Sequence, residues 1–154
     1  MSDGARARLE SPVGPLTLIE RDGAIVALDW DRSGAEVATG VLGDAVSQLK
    51  EYFAGDRQSF EVPLKPRGSE FQQKFYAALC AIPYGETRTY GDLASELGVS
   101  AQAIGQACGA NPIAILIPCH RVLGAAGLGG FSGAGGVEAK IELLKLEGAA
   151  SLLI

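Results

Sequence analysis

Residues 69–109 read SEFQQKFYAALCAIPYGETRTYGDLASELGVSAQAIGQACG, and three helices with clear punctuation are legible in them. Ser69 followed three residues later by Gln72 is a capping box, which satisfies amide groups otherwise left without partners at a helix start. The helix it opens carries Phe71, Phe75 and Leu79 at i, i+4 and i+8, one apolar stripe, and Pro83 stops it. Thr89-Tyr90-Gly91-Asp92 caps a second, short helix that ends at Gly98, and Ser100 caps a third from about Ala101 to Gly109. The tight Gly-Val-Ser turn between the last two has the form of a helix-turn-helix. One face of the third helix bears only small residues, Ala101 and Gly105. Such a face suits packing against another helix, or close approach to the narrow groove of DNA. A helix that reads the major groove needs longer polar side chains.

Working upstream, the apolar runs Pro15–Ile19 and Ala24–Trp30 flank Arg21-Asp22-Gly23, whose Asp-Gly pair is a hairpin turn signal. From Leu42 to Phe53, apolar residues recur at 42, 45, 46, 49, 52 and 53, a helical period, with Gly55 as its stop. Phe60–Leu64 reads as a final short strand, and Lys65-Pro66-Arg67-Gly68 as a linker. These signals predict an α/β domain over residues 1–64 and a mostly helical domain over 65–154.

Downstream lie Asn111-Pro112 and the apolar run Ile113–Ile117, expected as a buried strand or extended segment that delivers Pro118-Cys119-His120-Arg121-Val122. A Gly/Ala-rich loop from Gly124 to Gly136 lacks the GxxxxGK[ST] pattern of a phosphate loop, and a last amphipathic helix spans Val137 to Glu147. A cysteine is nucleophilic as its thiolate, so it needs a base or a positive field. The only histidine, His120, is the next residue, with Arg121 beyond. In an extended chain, neighbours point to opposite faces, so a water would have to bridge Cys119 and His120. Glu147 has the chemical type to hold the imidazole tautomer. From these residues alone, Cys119 is either a buried inert thiol or a nucleophile.

Composition sets the bounds. Of 154 residues, 47% are apolar and 20% charged, which excludes a disordered chain. No apolar run reaches the roughly 20 residues of a membrane span, and the N-terminus lacks a secretory signal. Three cysteines without a CxxC pair, beside one histidine, argue against a disulfide framework and a zinc site. A cytoplasmic protein with reduced thiols is expected. Residues 1–64 hold 6 Lys/Arg against 11 Asp/Glu, while residues 65–154 hold 7 of each. All the excess acidity therefore lies in the first half, and no basic patch announces a nucleic-acid partner.

Pro118-Cys119-His120-Arg121-Val122 nevertheless resembles the O(6)-alkylguanine-DNA alkyltransferase family. The resemblance extends to Asn111-Pro112-Ile113, to Leu143-Leu144-Lys145-Leu146-Glu147-Gly148, to Ile82-Pro83-Tyr84-Gly85-Glu86-Thr87 and Thr89–Ala94, and to Gln48–Gly55. It implies a ribonuclease-H-like N-terminal domain and a winged-helix-like C-terminal domain. The latter would bind double-stranded DNA in the minor groove, as a monomer and without a cofactor, and flip out the lesion. By the same resemblance, Cys119 accepts the alkyl group once and irreversibly, His120 is the base through a water, Glu147 orients it and Asn111 supports the site. Tyr90 donates towards the guanine ring nitrogen, main-chain groups at Cys119 and Val122 read the guanine edge, and Ser132 bonds its oxygen. Ala101, Gln102, Gly105 and Arg121 would meet DNA. Gln102 stands where the family usually has an arginine that enters the base stack, which implies weaker flipping. Phe131 replaces a common tyrosine, and Gly133-Ala134-Gly135-Gly136 is longer than the usual glycine pair. Two alternatives stay open: a non-catalytic lesion-binding sensor, whose kind commonly has tryptophan in place of the nucleophile, and a Cys-His hydrolase, for which no oxyanion motif is visible.

Overall fold

Three antiparallel strands, β1 (Ala5–Leu9), β2 (Leu16–Arg21) and β3 (Ala24–Asp29), form a sheet in sequence order in a computed structural model that describes residues 4–124 and 136–149. Asp22 and Gly23 both take positive φ, 53° and 80°, the left-handed pair that a two-residue hairpin requires. Strand β1 is not anticipated by the sequence reading. Its signal is short: Ala7 and Leu9 are buried while Arg6 and Arg8 alternate with them, hidden in a charged stretch. Helix α1 (Gly40–Phe53) covers this sheet with Leu42, Ala45, Val46, Leu49 and Tyr52, the predicted period. The strand expected over Phe60–Leu64 is absent. Only Leu64 bridges to Ile25, flanked by bonds from the Ile25 amide to the Pro63 carbonyl (2.9 Å) and from the Lys65 amide to the Ile25 carbonyl (2.8 Å). Pro63 has no N–H to extend that ladder.

The chain divides into two compact units at Arg67/Gly68, inside the segment read as a linker. In the second unit, α2 (Glu70–Cys80) begins with both bonds of the Ser69–Gln72 capping box. Phe75, Tyr76 and Leu79 are buried, whereas Phe71 is half-buried, with its ring centroid 6.4 Å from that of Phe75. Helix α3 (Tyr90–Leu97) has a second capping box, Thr89 with Asp92, and ends at Gly98 with φ 71°. That left-handed residue turns the chain into α4 (Ala101–Ala110), capped by Ser100. Leu93 and Ala94 of α3 and Ile104 and Ala107 of α4 are buried, and the two helices pack together.

Residues Ile113–Ile117 do not form the expected strand. They make a tight buried loop, in which the Leu116 amide donates to the Ala114 carbonyl (2.9 Å) and the Ile117 amide to the Ile113 carbonyl (2.9 Å), with Ile115 at φ 75°. A continuous apolar run marks burial without distinguishing strand from turn. Residues 119–121 are likewise one turn of 3₁₀ helix and not an extended chain. Beyond it, β5 (Val122–Leu123) pairs in parallel with β4 (Arg88–Thr89), two strands too short to be read from sequence. Helix α5 (Gly136–Leu146) closes the described chain.

Leu79 is fully buried on the inner face of the last turn of α2. Leu79→Ala is expected to lower the unfolding free energy by about 2–5 kcal/mol, measured by urea denaturation.

Candidate active site

The 3₁₀ turn Cys119-His120-Arg121 decides the geometry, because its side chains diverge by about 120° from one residue to the next. His120 and Arg121 still meet at one group. His120 Nε2 lies 2.7 Å from Glu147 Oε2, Arg121 Nε donates to Oε1 (2.8 Å), and Arg121 Nη2 donates to Oε2 (2.9 Å). Glu147 sits one residue beyond α5, its amide bonded to the Leu143 carbonyl (3.1 Å), and its side chain is fully buried. Glu147 and His120 are thus in direct contact. Arg121 is a different matter. Its guanidinium is buried, it also donates to the Ile82 carbonyl (2.7 Å), and it lies 5.9 Å from the Tyr84 ring centroid. The assignment of Arg121 to DNA does not hold, since a cation spent on a buried carboxylate is not offered to phosphate.

Because a paired carboxylate only accepts, the proton between His120 and Glu147 belongs to Nε2. In the neutral ring, that leaves Nδ1 with its lone pair, buried and without a hydrogen-bond partner among the described residues. Burial lowers the affinity of His120 for a second proton below its ordinary value; Glu147 pulls the other way, while Arg121 and Lys140 add to the lowering. The Cys119 thiol is pushed up by burial, opposed by a hydrogen bond from Asn111 and by the charge of Lys140. The resting pair is a thiol beside a neutral imidazole. The neighbouring thiol of Cys108 is pushed up to about 12, chiefly by burial, which makes it a poor nucleophile.

Asn111 holds the loop that presents the turn: its Nδ2 donates to the Ile117 carbonyl (2.9 Å) and its Oδ1 accepts from the Ile113 amide (3.0 Å). Lys140 is a site residue that the sequence reading missed. It is fully buried, its Nζ donates to the Val122 carbonyl (2.7 Å), and it lies 5.8 Å from the ring centroid of half-buried Tyr90. Its signal was its position, since Lys140, Leu143 and Leu144 share the buried face of α5. The Val122 carbonyl thus already accepts one bond, and the Cys119 carbonyl accepts one from the Val122 amide, which leaves each a second lone pair. On α4, Ala101, Gln102 and Gly105 are exposed, and a Cβ at Gly105 would meet nothing within 4 Å. Among the described residues, no helix packs against that small-residue face. Ser132 lies outside the described residues.

The lowered proton affinity of buried His120 has a consequence for stability. The unfolded chain takes up the proton below the ordinary value of 6.5, while the folded state resists it. Stability is therefore present above that pH and is lost as pH falls through the folded value. Chemical denaturation as a function of pH is expected to show a steeper acid loss in the wild type than in a folded His120→Asn variant, by the slope of one proton.

With this geometry in hand, the chain compares closely with known proteins. Residues 6–66 match the ribonuclease-like domain of 6-O-methylguanine DNA methyltransferase, and residues 70–149 match its DNA-binding domain. A methylated-DNA–protein-cysteine methyltransferase of Mycobacterium tuberculosis is 44% identical over 149 residues, covering 90% of this chain and 89% of that protein. One from Methanosarcina acetivorans is 42% identical over 153 residues, covering 92% and 97%. The crystal structure of M. tuberculosis OGT in complex with DNA matches with a TM-score of 0.82 at 41% identity, covering 95% of this chain and 94% of that one. Both domains are matched in order over almost the whole chain, and the chain belongs to the 6-O-methylguanine DNA methyltransferase family.

Proposed function

We propose that this chain repairs DNA by direct, irreversible transfer of one alkyl group from O(6)-alkylguanine to Cys119, so that each molecule acts once. The observation that carries this reading is the buried run of contacts behind Cys119, in which His120 presents a bare Nδ1 and Glu147 holds its other nitrogen. In the reaction, Cys119 Sγ attacks the alkyl carbon in line as the bond from that carbon to guanine O(6) breaks and its electron pair stays with the base. His120 Nδ1 takes the thiol proton through a water. Tyr90 donates its hydroxyl proton to the guanine ring nitrogen, and the thiol's proton makes good that loss, so guanine leaves neutral. Asn111 and Lys140 favour the developing thiolate. The free lone pairs at the Cys119 and Val122 carbonyls suit the guanine amino edge, with Ser132 as the partner of its oxygen.

The same reading assigns residues 1–64 to the ribonuclease-H-like domain and residues 65–154 to a winged-helix-like domain that binds DNA and accepts the alkyl group. Helices α3 and α4 act as a helix-turn-helix, with the exposed face of Ala101, Gln102 and Gly105 in the minor groove. Close approach is what small side chains permit. Cys119 is buried, so the target base must leave the stack to reach it, and Gln102 fills the space behind it. Between residues 88 and 110 the only Lys or Arg is Arg88, itself bonded to Glu96 (2.6 Å), so phosphate contacts are few. The protein works as a monomer in the cytoplasm, where its three free cysteines stay reduced.

Intact-protein mass after incubation with a duplex carrying one O(6)-methylguanine is expected to rise by one methyl group, mapped to Cys119 and absent in Cys119→Ala. Preferential binding of the lesion duplex without transfer would replace this reading with that of a sensor. Gln102→Arg is expected to speed transfer from duplex DNA while leaving transfer from the free modified base unchanged. The wild type's affinity for plain duplex is expected to fall only shallowly with added salt.

A further inference from the structure

Glu147 Oε2 receives two donors, His120 Nε2 and Arg121 Nη2, while Oε1 receives Arg121 Nε. In a simple triad, the carboxylate belongs to the histidine alone and stabilises the imidazolium that forms. Here, a permanent cation shares it. The guanidinium is itself fixed from two other directions, by the Ile82 carbonyl beyond α2 and by the Tyr84 ring, whose hydroxyl bonds the Leu146 carbonyl next to Glu147. Arg121, Tyr84 and the end of α5 are thereby tied together around the Glu147 carboxylate.

We propose that Arg121 is a positioning residue for alkyl transfer: by occupying both oxygens of Glu147, it fixes the proton on His120 Nε2 and keeps the imidazole a neutral base with Nδ1 free. This inference rests on the alkyl-transfer reading above. The charged groups acting on the imidazole are Glu147, just beyond α5, Lys140, on α5, and Arg121, on its own turn. Glu147 alone favours the imidazolium, which has no lone pair for a proton from Cys119. Burial opposes that pull most strongly, and Arg121 and then Lys140 oppose it further. Arg121 touches neither the thiol nor the base to be repaired. It acts through Glu147, and a lysine in its place would supply charge without the bidentate fork.

The chain's single histidine makes the test unambiguous. Imidazole nitrogen shifts of histidine-labelled protein, recorded between about pH 5 and 8, are expected to show a neutral ring with the proton on Nε2 in the wild type at neutral pH. In Arg121→Met, the imidazole's proton affinity is expected to rise about tenfold or more, and the acid limb of the methyl-transfer rate moves to higher pH with it, so that activity lost near pH 6 returns in alkaline buffer. Arg121→Lys, the variant to use if the methionine form does not fold, is expected to move both readouts in the same direction by less. An imidazolium at neutral pH in the wild type overturns the proposal. So does a folded variant whose histidine titration and rate profile keep the wild-type shape, because a purely structural role lowers the rate equally at every pH. Failure of the wild type to transfer methyl removes the alkyl-transfer reading instead, while the nitrogen shifts still report on the role of Arg121.

Discussion

One carboxylate, that of Glu147, holds the second unit's functional centre together. It is fully buried, and a charge taken out of water survives only where its partners replace the lost hydration. Three donors do so, two from Arg121 and one from His120. The elements they tie are distant in sequence: the 3₁₀ turn, the end of α5 and, through the Ile82 carbonyl, the exit of α2. The thiol's position follows from this, since Cys119 is the first residue of the turn whose other two are anchored at Glu147.

Around that anchor, electrostatics is arranged so that nothing reacts prematurely. Burial keeps Cys119 a thiol and His120 uncharged, while Asn111 and Lys140 already lean towards the charged state that the reaction needs. Few groups reorganise when charge moves, and the dipoles that receive it are fixed beforehand by the loop bonds of Asn111 and by Lys140 on the Val122 carbonyl. For a protein that reacts once, a protected nucleophile has an evident use, because any stray alkylation is as final as repair.

Much of this was legible in the sequence, and the omissions have physical causes. Caps and turns were readable because they are local: Ser69 with Gln72, Thr89 with Asp92, Asp22-Gly23 and Gly98 each state their geometry within four residues. Strands β4 and β5 were not, since a two-residue ladder has no period of its own and exists only through its partner. The run Ile113–Ile117 announced burial but not its turn, which depends on the Asn111 side chain. Arg121 was given to DNA with the rest of the motif, and nothing local in the sequence marks it as buried. Its burial depends on Ile82 and Glu147, 39 and 26 residues away. Lys140 was missed because the Val122 carbonyl that receives its ammonium lies 18 residues away in sequence.

The short parallel ladder between β4 and β5 couples two parts of the chain mechanically. Its rungs join Arg88 to Val122 and Thr89 to Leu123, so the chain entering α3 and the chain leaving the thiol's turn are hydrogen-bonded to each other. Tyr90 is one residue from one end of that ladder, and Cys119 three from the other. In-line displacement tolerates errors well under an ångström between reacting groups. Thermal motion that displaces one side of this ladder carries the other with it, a common-mode drift shared by the backbones leading to Tyr90 and to Cys119. Precision in such a small unit then comes from sharing the vibration and does not demand a rigid scaffold.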